Sequence, residues 1–82
     1  MRRIYWSRPA LKDLARLDGS LVRRIVAAVE GFAASGRGDI KHLKGQLAGE
    51  LRLRVADQRV LLESDAQEIR VLHVLDRDEA YR

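Results

Sequence analysis

Three arginines stand at positions 52, 54 and 59 within ELRLRVADQRVLL (residues 50–62), with leucine or valine between them. A period of two is the pattern of a strand with one buried face. If Ala56 and Asp57 form a two-residue turn, Val55 faces Gln58 and Arg54 faces Arg59. Opposed residues of an antiparallel pair point to the same face. Leu51, Leu53, Val55, Val60 and Leu62 then form one apolar face, and Arg52, Arg54 and Arg59 share the other. Like charges placed directly opposite one another destabilise a strand pair, so an acid from elsewhere in the chain or a bound anion should compensate. Guanidinium forks hold phosphate oxygens in pairs. The spacing therefore points to a phosphate, and a solvated outer face is the plain alternative.

The elements that position these arginines follow from the rest of the pattern. Arg3–Trp6 is rich in strand formers. Ser7 then offers a helix N-cap, and Pro9 is tolerated in a first turn. Leu11, Leu14 and Leu17 recur at helical spacing, with Lys12, Asp13 and Arg16 turned away. Asp18–Ser20 breaks this helix and offers a cap for the next, whose stripe is Leu21, Val22, Ile25, Val29 and Phe32. The glycine-rich segment 36–49 reads as a loop with a short turn of helix near Ile40–Leu43. Strands 50–55, 58–65 and 68–76 follow. The expected fold class is α+β in the order β-α-α-β-β-β, an antiparallel sheet with a helical hairpin packed on one face. A second turn at Ala66-Gln67 would set Glu63 against Arg70, Leu61 against Leu72 and Arg59 against Val74. Ile69, Val71 and Leu75 would join the core face. His73 would share that face as a structural residue, and His42 would be a surface residue or an RNA contact. Arg77 would also have core parity, so the last strand must end or bulge before it.

Composition bounds the function. The chain has 82 residues, 46% hydrophobic and 34% charged, the profile of one globular domain spanning 1–82. With no cysteine and no apolar run of membrane-spanning length, disulfides, thiolate metal sites and a transmembrane helix are excluded. The N-terminal stretch lacks the apolar core of a signal peptide, and a cytoplasmic location is expected. The net charge of +4 suits an anionic partner. Its distribution is uneven. Residues 1–24 hold seven basic and two acidic residues and residues 37–59 six and three, whereas residues 63–82 hold three and six.

The ordered set Lys41, Leu43, Gly45, Arg52-Leu53-Arg54-Val55, Asp57, Arg59, Arg77 and Tyr81 resembles the second half of toxins of the RelE/ParE superfamily. The first half, with Ala10, Leu14 and Leu17, is similar as well, so the resemblance covers nearly the whole chain. Toxins of this kind belong to bacterial toxin–antitoxin operons. RelE-like members are metal-independent endoribonucleases that cut mRNA in the ribosomal A site. The resemblance implies the same β-α-α-β-β-β fold, no cofactor or metal, and a cognate antitoxin that binds the toxin in a hetero-oligomer. The ribosome with its mRNA would be the target, and no membrane is involved. Carried over by position, the catalytic residues would be Arg59, Arg77, Tyr81 and Arg54. Arg52, Lys44 and Lys41 would bind RNA phosphate.

RNA cleavage through the 2′-hydroxyl requires loss of its proton, stabilisation of the phosphorane charge and protonation of the 5′-oxygen. Arg59 and Arg77 suit the second task. Tyr81 would orient or deprotonate the 2′-hydroxyl or stack on a base, and Arg52 and Arg54 would grip the backbone. Arginine is a poor general base, and Asp76 is one carboxylate near the end of the set. Two alternatives stand beside the nuclease: a ParE-like inhibitor of DNA gyrase, and a non-toxic domain that binds only its antitoxin.

Overall fold

The structure is a computed structural model and describes residues 1–42 and 50–80. Its elements run β1 (Arg3–Trp6), α1 (Arg8–Ala15), α2 (Gly19–Ser35), β2 (Ile40–His42), β3 (Glu50–Val55), β4 (Gln58–Ser64), β5 (Glu68–Asp76) and a short α3 (Arg77–Ala80). The strands form one mixed sheet in the order β1-β5-β4-β3-β2. β1 runs parallel to β5, and the other neighbours are antiparallel. The expected α+β class and the antiparallel meander of β3, β4 and β5 are thus present, with one strand more than expected.

That strand is β2. Ile40–His42 was expected to form a turn of helix and instead pairs with Leu51–Leu53. Ile40 packs against the core, and Arg54 N–H donates to Asp39 C=O at 2.9 Å, so the segment completes the open edge of β3. Three residues are too few for an alternation to be visible. Gly38 allows the close approach, since a Cβ there would lie 3.1 Å from Leu53 Cδ1.

Local chemistry starts and stops the helices. Ser7 Oγ accepts from Ala10 N–H at 3.2 Å, and Pro9 sits in the first turn of α1. Asp18 caps α2, accepting from Ser20 N–H at 2.9 Å and Leu21 N–H at 3.1 Å. These amide and hydroxyl donors, the Ser20 Oγ bond first among them, hold its carboxyl below the usual range. Gly36, at φ +73°, ends α2 in the left-handed region that glycine enters without penalty. Arg2 spans the far side of this helix, bonding to Ser64 Oγ and Phe32 C=O, with its guanidinium 4.9 Å over the Phe32 ring.

The core lies between the helices and one sheet face. Ile25, Val29, Phe32 and Ala33 of α2 meet Leu51, Leu53, Val55, Val60, Leu62, Ile69, Val71 and Val74. On α1 the buried positions are Ala10 and Asp13, with Leu14 and Leu17 partly buried, while Leu11 is 53% exposed. The expected outward turn of Asp13 and inward turn of Leu11 are therefore reversed, because Asp13 satisfies groups on β5 that no strand reaches.

The β3–β4 register matches the alternation, with Val55 opposite Gln58 and Arg54 opposite Arg59. The β4–β5 register matches it from Ser64 to Leu62, with Ser64 opposite Ile69 and Glu63 opposite Arg70. Leu62 faces Val71, but Leu61 faces His73, so β5 carries one extra residue at this point. This β-bulge reverses every expected face beyond it. Val74, expected outside, is 2% exposed in the core. Leu75, expected inside, stands opposite Arg59. His73, expected in the core, is 47% exposed at its side chain.

Candidate functional site

Because the apolar residues of β3 and β4 must face α2, the alternation delivers their arginines to the opposite sheet face. Lys41 lies opposite Arg52, and Arg52 opposite Leu61. One rung on, Arg54 lies opposite Arg59 and Arg59 opposite Leu75. Four basic residues from three adjacent strands thus share the end of the sheet nearest the β3–β4 turn. Neighbouring strands are about 4.8 Å apart and successive same-face residues about 6.6 Å apart along a strand, so the patch spans the length of two or three nucleotide phosphates.

The four differ in freedom. Lys41 is exposed. Arg54 is 63% exposed, with its Nε 3.8 Å from Oδ2 of an equally exposed Asp39. Such a pair is weak, but it supplies part of the compensation that the Arg54–Arg59 juxtaposition demands. Arg52 is half-buried. Arg59 is only 7% exposed. Its Nη1 donates to Ala56 C=O at 3.3 Å and Gln58 C=O at 3.2 Å. The turn it grips is tight, with Ala56 at φ +54°. Arg59 is therefore a fixed cation and Arg54 a mobile one.

Arg77 joins this end of the molecule. Its amide donates to Asp57 C=O at 2.8 Å, so it enters α3 beside the turn between Arg54 and Arg59. The expected end or bulge in the last strand is realised as both, since the bulge at Leu72-His73 precedes the strand end at Asp76. Tyr81 and Lys44 lie outside the described residues. Among the described residues no group of three or more His, Asp or Glu could hold a metal ion, and no helix is long and apolar enough to cross a membrane.

The opposite end of the same face is acidic. Glu50 faces Glu63, Glu63 faces Arg70, and Arg70 faces Tyr5. Arg70 contacts Glu68 at 2.8 Å, Asp65 at 3.2 Å and Glu63 at 3.5 Å. It is held firmly protonated, by Glu68 first and then Asp65. Asp65 accepts from Gln67 and Glu68 amides at 2.8 and 2.9 Å. Those two bonds and Arg70 lower its carboxyl pKa. The expected Glu63–Arg70 pair is present, inside a larger network. Leu61 and His73, opposed across β4 and β5, lie between the Glu63–Arg70 rung and the Arg59–Leu75 rung.

Two features of the site were not foreseen from the sequence. Asp39 precedes a strand too short to recognise. The other is a cluster at the edge of β5, where Asp13 accepts from Val74 N–H at 2.8 Å, lies 3.1 Å from His73 Nδ1 and pairs with Arg16 at 2.9 Å. The signal for it was an acid at position 13 among the Ala10, Leu14 and Leu17 spacings.

Comparison with known proteins agrees with this architecture. A model of the family described as ParE toxin of the type II toxin–antitoxin system parDE matches residues 4–81. A chain of the RelB–RelE antitoxin–toxin complex from Methanococcus jannaschii is 27% identical, with 94% of each chain covered and a TM-score of 0.78. One from the toxin–antitoxin complex RelBE2 of Mycobacterium tuberculosis is 23% identical over 93% of this chain and 98% of that one, with a TM-score of 0.78. The YoeB dimer of Staphylococcus aureus is 21% identical over 90% of this chain and 94% of that one, with a TM-score of 0.75. Comparison with curated proteins finds no match. With the family matched over nearly its whole length and the fold shared, the chain belongs to the ParE toxin family and is a type II toxin of the RelE/ParE superfamily.

Proposed function

We propose that this toxin acts on RNA, as a metal-independent endonuclease that cuts mRNA on the ribosome, and that a cognate antitoxin neutralises it. The observation that carries the reading is the gathering of Lys41, Arg52, Arg54 and Arg59 on one sheet face, with Arg77 entering beside the turn. A patch of this length and sign suits a single-stranded backbone. Arg59, fixed by two turn carbonyls, is the kind of preorganised cation that stabilises a phosphorane without reorganising. Arg77 shares the scissile phosphate with it. Arg54 and Arg52 hold the flanking backbone, with Lys41 and Lys44 beyond them. Tyr81 orients the 2′-hydroxyl, whose oxygen attacks phosphorus to form a 2′,3′-cyclic phosphate as the bond to the 5′-oxygen breaks. The 2′-hydroxyl proton passes to water and the 5′-oxygen takes a proton from water. The antitoxin partner is supported by the RelE neighbour's occurrence in a complex with RelB.

A second reading, inhibition of DNA gyrase, is favoured by the family model, which is that of ParE toxin. Induction of the toxin without antitoxin, followed by primer extension on a translated message, separates the two. The nuclease reading predicts cuts at fixed codon positions that vanish in Arg59→Ala and Tyr81→Phe. Intact message with accumulating DNA breaks supports gyrase instead. Unaffected growth supports a domain that only binds antitoxin.

A further inference from the structure

We propose that Asp13 is a positioning residue for the arginine face, acting through the strand that carries Arg77. β1 ends opposite Val71, and Ser7 N–H closes its last bond to Val71 C=O at 3.0 Å. Beyond this point, among the described residues, no strand pairs with this edge of β5. Side chains of α1 and its cap replace the strand. Ser7 Oγ donates to Leu72 C=O at 2.9 Å, Asp13 Oδ2 accepts from Val74 N–H at 2.8 Å, and the same oxygen lies 3.1 Å from His73 Nδ1. Arg16 holds the other carboxylate oxygen at 2.9 Å. All three residues at the irregularity, Leu72, His73 and Val74, are thus held from α1.

These contacts have a consequence at the far end of the strand. Without the extra residue, Leu61 would face Leu72 and Arg59 would face Val74, and Leu75 and Arg77 would have core parity. With it, Leu75 stands opposite Arg59, and the strand ends at Asp76 so that Arg77, the first residue of α3, meets the β3–β4 turn, its amide donating to Asp57 C=O at 2.8 Å. Each parity of VLHVL carries apolar residues, Val71 and Leu75 on one and Leu72 and Val74 on the other, so hydrophobicity opposes the unbulged register only through His73 and does not by itself choose between the two. Asp13 does, because only the bulged strand presents Val74 N–H and the His73 ring to one carboxylate. A buried carboxylate with its donors withdrawn is costly, which ties the helix and the register together. The carboxylate also requires a proton on His73 Nδ1, which fixes the ring's orientation.

The functional part of this inference rests on the reading of Arg77 as a phosphate-holding group, whereas the register part does not. The test compares wild type, Asp13→Asn, Asp13→Ala and Arg77→Ala, with Val29→Ala as a destabilised control on α2, by NMR on the full chain and by growth arrest on induction. Wild type should show a protonated His73 Nδ1, a slowly exchanging Val74 amide and Leu61 opposite His73. In Asp13→Ala, Val74 exchange should rise by about tenfold or more relative to Val29→Ala, Leu61 contacts should move to Leu72, and growth arrest should fall as far as in Arg77→Ala. Asp13→Asn keeps one oxygen that can accept from both Val74 N–H and His73 Nδ1–H, and should retain the bulge and the tautomer. If Asp13→Ala does not fold, the wild-type and Asp13→Asn tautomers still decide. An unprotonated His73 Nδ1 in wild type or in Asp13→Asn overturns the proposal, as does Asp13→Ala with Leu61 still opposite His73. A shifted register with full growth arrest, in a background where Arg77→Ala is inactive, overturns the positioning role. If Arg77→Ala is itself fully active, the reading of Arg77 fails and the register result alone judges Asp13.

Discussion

Arg59 and Arg54 face one another across β3 and β4, yet they are unlike cations. Arg59 is buried and anchored by the carbonyls of Ala56 and Gln58, while Arg54 reaches solvent. On the nuclease reading, Arg59→Ala should lower cleavage by about 10²–10³-fold. Arg59→Lys should not restore it, because an ammonium cannot span the turn carbonyls and a phosphate with one planar fork. Single-turnover cleavage of a ribosome-bound message measures both. Neighbouring Ala56 lies at φ +54°, a conformation that costs an L-residue about 1–2 kcal/mol. Ala56→Gly should therefore raise stability by about 0.5–1 kcal/mol in urea titration, leaving the register unchanged.

At the scale of elements, the account divides by how far the determining residues lie from the element they determine. The β3–β4 hairpin was legible because its alternation is strict and its turn has two residues, so Arg52, Arg54 and Arg59 were placed correctly on one face. The caps at Ser7 and Asp18 were legible for the same local reason. β2 was not, since three residues carry no period, and with it Asp39 was missed. The bulge was not, because its cause is a carboxylate on α1 some 60 residues away. Turn chemistry yields a pH prediction. Asp18 caps α2 and Asp65 closes the β4–β5 turn, and both carboxyls titrate below their ordinary value of 3.8. A lowered folded pKa means stability is complete above that value and is lost as pH falls through the folded one. The unfolding temperature should be independent of these groups above about pH 5 and decline as the pH falls below the ordinary carboxylate range. Asp65→Asn should flatten that fall.

At the scale of the whole molecule, one sheet face does two electrostatic jobs. Lys41, Arg52, Arg54 and Arg59 occupy one end, and Glu50, Glu63, Glu68 and Arg70 the other. On the nuclease reading, an RNA backbone would be confined to the basic end, crossing the strands rather than following them. Each phosphate contact contributes about 0.7 to the slope of log affinity against log salt for a single strand. Arg52→Ala should reduce that slope by about this amount with a short single-stranded RNA, and Glu63→Gln should leave it unchanged. The opposite sheet face is what holds this arrangement up. Leu62 is fully buried between β4 and the helices. Leu62→Ala should cost about 2–5 kcal/mol, a large share of the stability of so small a domain. The central claim is that the basic end acts on RNA, and the most direct measurement is cleavage of a message on purified translating ribosomes by the purified toxin. The account predicts cuts within the codon positioned in the decoding site, abolished by Arg59→Ala and by added antitoxin. An intact message, from a preparation that blocks DNA gyrase under the same conditions, would contradict it.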